Sequence, residues 1–155
     1  MKKLLLLLTA VLVCFAVGCG KTTYKNLDDD SIVFTADSSI LEIDDDTTLE
    51  DYLVALKDAG KLTFEGNKGD FGLFIASMNG IENEVVSSTA SSSEGYSWTV
   101  YIDFIDVEGV LYAGDSEIIT YRDTTLYKAN YGVSYIPCLE GHTYAFVYEY
   151  YSFTW

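Results

Sequence analysis

The sequence predicts one α+β domain, in which a single helix packs on a sheet. Two segments, residues 96–104 and residues 142–151, alternate between two sets of side chains, as expected for β-strands. Residues 47–60 instead repeat apolar residues at helical spacing. The length of 155 residues suits one domain with its own core. We expect a signal peptide and a flexible tether to precede this domain.

The N-terminal residues predict a lipoprotein signal peptide. Two lysines precede an uncharged apolar run, residues 4–17, which is shorter than the roughly 20 residues of a membrane-spanning helix. The following segment Ala16-Val17-Gly18-Cys19 resembles the lipobox of bacterial lipoproteins, whose cysteine receives a diacylglyceryl group. We therefore expect residues 1–18 to be a signal peptide and Cys19 to anchor the protein by lipid on the extracytoplasmic face of the bacterial cell membrane. An ordinary cleaved signal and a short membrane anchor are the alternatives.

Two segments lead from the lipid site to the helix. Residues 19–30 are polar and acidic, which favours a flexible tether that lifts the domain off the membrane. Residues 31–43 contain apolar positions on either side of Asp37-Ser38-Ser39, so they predict a β-hairpin with its turn at these residues.

The helix has the clearest local signals in the chain. Thr47 and Glu50 predict a capping box, in which each side chain accepts a hydrogen bond from the backbone N–H of the other. Asp51 adds negative charge at the helix N-terminus, and Gly60 supplies a left-handed residue that ends the helix. The apolar stripe consists of Leu49, Tyr52, Leu53 and Leu56. We expect about three turns with this stripe on a sheet.

The middle of the chain predicts strands. Residues 62–65 and 71–79 read as two strands joined by a loop, and Asn79-Gly80 predicts a tight turn because both residues tolerate positive φ. Residues 87–95 are rich in serine, so we expect a loop too polar to pack. Residues 96–104 form the most regular predicted strand.

Shorter strands follow on either side of Gly114-Asp115, and the last strand starts near His142. In this last strand the small residues Ala145 and Val147 favour the face covered by the helix. The tyrosine face would then point outward or into a cleft. The opposite assignment, with the tyrosines in the core, remains open.

Charge and cysteine content exclude several classes of protein. The chain has 24 acidic and nine basic residues, a formal charge of −15, so it would be repelled by nucleic acid and by anionic lipid. Membrane attachment must then come from the lipid anchor. With Cys14 in the signal peptide and Cys19 lipidated, Cys138 has no partner for a disulfide.

No catalytic grouping stands out. His142 is the single histidine, which leaves no residues for a conventional triad or a histidine-rich metal site. Cys138 has no cationic neighbour in the sequence to lower its pKa. We therefore expect neither an enzyme nor a bound cofactor or metal.

The order of several motifs resembles a known family. They are Phe71-Gly72-Leu73-Phe74-Ile75-Ala76-Ser77-Met78-Asn79-Gly80, Ser97-Trp98-Thr99-Val100-Tyr101, Tyr131-Gly132-Val133-Ser134-Tyr135 and Gly141-His142-Thr143-Tyr144-Ala145-Phe146-Val147-Tyr148. Together they resemble a small bacterial domain of unknown function related to the C-terminal domain of transcobalamin and intrinsic factor. The resemblance implies a β-grasp-like fold over residues 31–155, with one helix on a mixed sheet. It also implies a corrinoid as ligand, because the animal domain covers one face of cobalamin.

Aromatic residues carry the functional expectation, because Tyr and Trp offer large amphipathic contact area at low entropic cost. The candidate ligand-binding residues are Trp98, Tyr96, Tyr131 and Tyr135. The expected function is capture of a corrinoid or similar small molecule for a membrane transporter. The alternative is a cell-surface interaction module, either an adhesin or a carbohydrate- or peptide-binding domain. A concave aromatic pocket would favour capture, whereas a flat tyrosine face or an open strand edge would favour the interaction module.

Overall fold

One helix, α1 (Leu49–Asp58), lies on one face of a seven-stranded mixed sheet. The computed structural model describes residues 23–25, 27 and 29–155. The strands are β1 (Thr23–Lys25), β2 (Ile32–Thr35), β3 (Phe64–Gly69), β4 (Gly72–Met78), β5 (Ile81–Glu82), β6 (Glu84–Ser88), β7 (Ser92–Ile102), β8 (Asp106–Val107), β9 (Val110–Leu111), β10 (Ala113–Tyr121), β11 (Thr124–Ala129) and β12 (Thr143–Thr154). The predicted α+β class is therefore confirmed.

The large sheet is built around the pairing of β7 with β12. Its strand order is β1-β10-β11-β7-β12-β2, with β6 added to the other part of β7. The β1–β10 pair is parallel and the others are antiparallel. Strands β3, β4 and β5 form a separate three-stranded sheet, and β8 and β9 form a two-stranded one.

The helix begins one residue later than predicted. Thr48 is the N-cap: its side chain accepts a hydrogen bond from the Asp51 N–H, and Asp51 Oδ2 accepts one from the Thr48 N–H at 2.9 Å. The predicted box of Thr47 and Glu50 is therefore wrong. Thr47 instead donates to Asp44 Oδ1 at 2.7 Å, so both threonines are used, and only the backbone conformation decides which one caps.

The end of the helix confirms the prediction. Gly60 has a φ of +68°, and its N–H donates to the Lys57 carbonyl at 2.9 Å. The Lys61 N–H donates to the Leu56 carbonyl at 2.9 Å. These two bonds are those of a Schellman motif, which needs a left-handed residue at this position.

The core lies on both faces of the large sheet. The helix residues Leu49, Tyr52, Leu53 and Leu56 pack in one cluster with Tyr144, Phe146 and Ile102. A second cluster on the other face contains Tyr101, Ile119, Leu126, Ala145 and Val147. The prediction that Ala145 and Val147 lie under the helix is therefore wrong, and the alternative with the large rings in the core holds for Tyr144 and Phe146. The leucine side chains of the helix pack against the large rings of the sheet. The size of the β12 side chains therefore did not indicate which face of β12 the helix covers.

Three predicted loops and strands also differ from the structure. Only β2 forms in the predicted hairpin of residues 31–43, and Ile40, Leu41 and Ile43 pack against the core without strand pairing. The predicted loop after residue 65 instead continues β3 to Gly69. The serine-rich residues 87–95 belong to the β6–β7 hairpin, because backbone pairing needs no apolar side chains.

The N-terminal predictions fall mostly outside the described residues. The predicted signal peptide and Cys19 lie outside the described residues. Strand β1 lies within the predicted tether and pairs with residues 117–119 of β10.

Among the described residues, no helix has the length and apolar character needed to cross a bilayer.

Candidate functional site: an aromatic cleft and an aromatic arm

Exposed aromatic side chains concentrate on two surfaces. The first borders an open cleft between β4, β7 and residues 129–133, called the cleft below. The second is a three-stranded extension of the large sheet, called the arm, which consists of β6, residues 92–97 of β7 and residues 148–155. Contiguous exposed apolar surface is uncommon on monomers and often marks a binding site. Both surfaces are therefore candidate sites.

The cleft has a volume of about 220 Å³ and apolar walls. Phe74 projects from β4 and is 64% exposed, Trp98 projects from β7, and Tyr131 on the following loop is 46% exposed. The ring of Tyr131 packs against Tyr112, with the ring centroids 5.6 Å apart. The cleft thus offers aromatic contact area, and most of its lining side chains are apolar.

Trp98 has a fixed orientation in the cleft. Its indole N–H donates to the Ile81 carbonyl at 3.0 Å, and its backbone N–H donates to Asn83 Oδ1 at 3.2 Å. Its ring contacts Tyr148 at a centroid distance of 5.4 Å, and the Tyr148 hydroxyl donates to the Glu82 carbonyl at 2.8 Å. The β4–β5 hairpin and its flanking residue Asn83 therefore hold both rings in place.

A carboxylate network fixes the walls of the cleft relative to each other. Glu50 accepts hydrogen bonds from Lys68 Nζ at 2.8 Å and from the Ser134 hydroxyl. Ser134 Oγ accepts a hydrogen bond from the Leu73 N–H at 2.8 Å, and the Glu50 N–H donates to the Val133 carbonyl at 3.0 Å. The hydrogen bond from Lys68, followed by that from Ser134, holds the pKa of Glu50 below its ordinary value. A charged Glu50 thus joins α1, the β3–β4 hairpin and the loop that carries Tyr131.

The arm has an open edge along β12. Strand β2 pairs with β12 only from Thr143 to Phe146, whereas β7 continues to Thr154. The Asp103 N–H donates to the Thr143 carbonyl, so odd-numbered residues of β12 bond to β7 and even-numbered ones face the other side. Beyond Phe146 that side has no strand partner among the described residues. The outward backbone groups belong to Tyr148, Tyr150, Ser152 and Thr154.

The opposite edge of the arm is irregular. The register of β6 against β7 shifts between Val85 and Ser87. Gly95 allows the close approach of the two strands, because a Cβ atom there would lie 1.9 Å from the Glu84 carbonyl oxygen. Such bulges protect an edge from pairing with other strands. The outer segment of β12 pairs with β7 in unbroken register and contains neither proline nor lysine.

One face of the arm carries interlocking tyrosines. Tyr96 stacks on Tyr148 at 5.7 Å and meets Tyr150 edge-on at 5.5 Å. The Tyr150 hydroxyl donates to Glu94 Oε2 at 2.6 Å, and this hydrogen bond raises the pKa of Tyr150. This hydrogen bond fixes the ring of Tyr150 over β7.

The other face carries a row of three rings. Tyr151 stacks on Phe153 at 5.2 Å, and Phe153 contacts Trp155 at 5.7 Å. The Trp155 N–H donates to the Ser91 carbonyl at 2.9 Å, so the row is tied to the β6–β7 turn. Phe153 is 54% exposed and Trp155 is 65% exposed.

The structure separates the four predicted ligand-binding residues. Trp98 and Tyr131 border the cleft. Tyr96 lies on the arm, and Tyr135 lies beside Gly72 at the tip of the β3–β4 hairpin, outside the cleft lining. The four residues therefore do not form one site.

Three exposed aromatic residues of the cleft and the arm were not predicted as site residues, namely Phe74, Phe153 and Trp155. Phe74 lies in an apolar strand, where nothing in the sequence distinguishes an outward ring from a core ring. Phe153 and Trp155 follow Tyr151 at a spacing of two residues, so extending the predicted alternation would have placed all three on one face.

The remaining reactive groups have structural roles. His142 Nδ1 lies 2.7 Å from Asp103 Oδ1, and the other carboxylate oxygen accepts from the Thr143 N–H at 2.9 Å. Cys138 is fully buried, and burial raises the pKa of its thiol to about 12. Within the described part of the chain, no three His, Cys, Asp or Glu side chains gather as metal ligands.

A scan against protein-family models gave no match, and searches of curated proteins and of solved structures gave no significant similarity.

Proposed function

We propose that the chain is an interaction module of the bacterial cell surface that contacts a carbohydrate or peptide partner through the arm. The observation that carries this proposal is the combination of exposed rings on both faces of the arm with an open strand edge. Interfaces are enriched in Tyr, Trp and Phe, and extended peptides bind by adding to such edges. The module binds without catalysis.

Charge limits the choice of partner. The formal charge of −15 disfavours acidic partners and favours neutral or basic ones. Neutral sugars meet this condition, and their apolar faces can stack on the aromatic rings of the arm. Basic peptides also meet it, and they can use the backbone groups of β12 as well.

Arrays of glycans and of basic peptides test this function. We expect the purified protein to bind members of one array, and the double variant Tyr150→Ser, Phe153→Ser to lose that binding. Phe71→Ser is the matched control, because Phe71 is 92% exposed but lies at the β3–β4 turn, away from the arm. Absence of binding on both arrays, or equal loss in the control, would contradict the proposal.

A second candidate function is capture of a small molecule in the cleft. It is favoured by the meeting of Trp98 and Tyr131, two of the predicted ligand-binding residues, at one apolar cleft. Its volume of about 220 Å³ is below the roughly 300–1,000 Å³ of most small-molecule sites. A corrinoid would therefore lie over the cleft with only part of the molecule inside, and a membrane transporter would be its recipient.

Fluorescence titration with cobalamin and cobinamide tests this candidate. We expect saturable quenching at about micromolar concentration, near −8 kcal/mol, in the Trp155→Phe variant, whose remaining tryptophan is Trp98. Tyr131→Ser should weaken it, whereas Tyr96→Ser on the arm should not. If neither corrinoid binds below about a millimolar, roughly −4 kcal/mol, the corrinoid hypothesis is wrong.

We further propose that Cys19 is acylated and that the sheet and helix belong to a β-grasp-like arrangement. The first proposal is supported by the lipobox-like segment Ala16-Val17-Gly18-Cys19, and the second by a helix on one face of a mixed sheet. Metabolic labelling with a fatty-acid analogue tests the anchor. Equal label on the wild type and on Cys19→Ala would overturn it.

A further inference from the structure

We propose that the open edge of β12 pairs with β12 of a second copy, which joins two arms into one continuous antiparallel sheet. This inference rests on the proposed role of the arm as a contact surface and goes beyond it, because in the dimer a second copy occupies the strand edge that a basic peptide would use in the monomer. Strand β12 pairs with β7 in unbroken register and leaves its other edge open, whereas the bulge in β6 protects the opposite edge of the arm. The occupant therefore pairs along β12.

The positions of the outward backbone groups fix the register. If the two-fold axis passes near Tyr151, Tyr148 pairs with Thr154 of the second copy and Tyr150 pairs with Ser152 of the second copy. Each pair occurs twice, which gives about eight backbone hydrogen bonds. All four outward residues of each copy are then used. A two-fold antiparallel arrangement also closes on itself, so it makes a dimer rather than a filament.

The side chains are self-complementary in this register. Tyr151 faces Tyr151 of the second copy, and Glu149 faces Phe153 of the second copy, so no like charges stand directly opposite each other. The carboxylate of Glu149 is already paired with Lys128 Nζ at 3.3 Å and accepts from the Tyr101 hydroxyl at 3.1 Å. The pairing segment therefore adds no close repulsion, although the whole chain carries −15.

The expected dimer is weak and depends on concentration. Tyr150, Phe153 and Trp155 are 49 to 65% exposed, and at about 200 Å² for each aromatic side chain they offer roughly 300 Å² per copy. Two copies stay below the roughly 1,200 Å² of a stable interface, even with some backbone area added. Salt should strengthen pairing, because it shortens the range of the repulsion between two acidic chains. The Debye length falls from about 8 Å at 0.15 M to about 3 Å at 1 M.

Sedimentation of the purified protein over a range of concentrations tests the pairing. We expect a monomer–dimer equilibrium. Its dissociation constant should rise at least tenfold in Ser152→Pro and stay unchanged in Ser152→Ala. Proline removes an outward N–H donor without breaking a bond to β7, whereas alanine keeps that donor. A monomer at every concentration, or a dimer insensitive to Ser152→Pro, would overturn the proposal.

Cross-linking gives a second test that does not depend on the proline variant folding. In the proposed register the two Tyr151 Cα atoms lie about 4.5 Å apart, within the range of a disulfide. Tyr151→Cys should form a covalent dimer under mild oxidation, and Val86→Cys, exposed on the protected edge, should not. Equal cross-linking of the two variants would contradict the edge pairing. If pairing fails while the arm variants still lose array binding, this inference alone is wrong.

Discussion

Glu50 differs from most acidic residues of the chain, because it is partly buried where three elements meet. Its side chain is 16% exposed and receives hydrogen bonds from Lys68 and Ser134. Asp37 and Asp44 also have lowered pKa values, through hydrogen bonds from Ser39 and Thr47, but both are exposed. Of these three carboxylates, only Glu50 connects the helix to the loop of the cleft.

The Glu50 network predicts a specific pH dependence of stability. The folded pKa of Glu50 is lower than its unfolded value, so its contribution is complete above about pH 4.5 and is lost as pH falls below it. Glu50→Gln should cost about 1 kcal/mol at pH 7, the scale of a charged hydrogen bond with an exposed partner. The difference in the free energy of unfolding between the wild type and Glu50→Gln should shrink toward pH 3.

Urea denaturation at pH 7, 5, 4 and 3 measures this difference. Glu42→Gln is the control, because Glu42 is exposed and its removal changes the net charge equally. If Glu50→Gln and Glu42→Gln show the same pH profile, general charge repulsion explains the dependence and the network does not.

Among the elements, the β6–β7 hairpin depends on Gly95. A methyl group there would lie 1.9 Å from the Glu84 carbonyl oxygen and 3.0 Å from the Tyr151 hydroxyl. The first of these contacts involves backbone, which cannot rotate away. We expect Gly95→Ala to separate β6 from the arm and to cost about 1–3 kcal/mol, the scale of overpacking.

Hydrogen exchange measures the effect of Gly95→Ala strand by strand. Protection should fall in β6 and in residues 92–96 of β7, while α1 keeps its protection. Gly114→Ala is the matched control, since Gly114 also lies in a strand but its nearest neighbour would be 3.8 Å from the new methyl group. Unchanged exchange in β6 would show that the approach of the two strands is looser than described.

The elements also show how much of the fold the sequence could predict. The helix was predictable because its stripe and Gly60 act through neighbouring residues, and the β7 and β12 segments were predictable because their alternation is long. The pairing of the serine-rich hairpin was not, since it depends on backbone bonds and on one close approach at Gly95. The face of β12 under the helix was not predictable either, because it is decided by distant residues such as Tyr52.

The candidate sites were also predictable only where neighbouring residues determine them. Trp98 and Tyr131 were named from the sequence, and the structure brings both to the cleft. Tyr96 lies further along β7 on the arm, and Tyr135 lies beside Gly72 at the β3–β4 turn. These positions depend on the packing of distant elements, which no local pattern encodes. The open edge could not be predicted, because an edge is a property of the whole sheet.

At the scale of the whole molecule, Cys138 reports on global unfolding. It is fully buried in the main cluster, and its raised pKa of about 12 keeps it as an unreactive thiol. With Cys14 and Cys19 replaced by serine, we expect alkylation of Cys138 only as fast as the domain unfolds. The melting temperature should also be the same with and without reductant.

Alkylation at increasing urea concentration, followed by mass spectrometry, measures this protection. The labelled fraction should rise together with loss of tryptophan fluorescence. Val86→Cys provides the rate of an exposed thiol. Labelling of Cys138 at that rate in the absence of urea would show that the core opens without global unfolding.

The position of β12 has a consequence for the order of folding. It joins β7 on one side and β2 on the other, and its contact with β2 spans 108 residues between Thr35 and Thr143. Until β12 itself has been synthesised, β2 and β7 cannot pair with it, and Tyr144 and Phe146 are missing from the main cluster. Closure of the core is therefore a late event made of long-range contacts, which fold slowly.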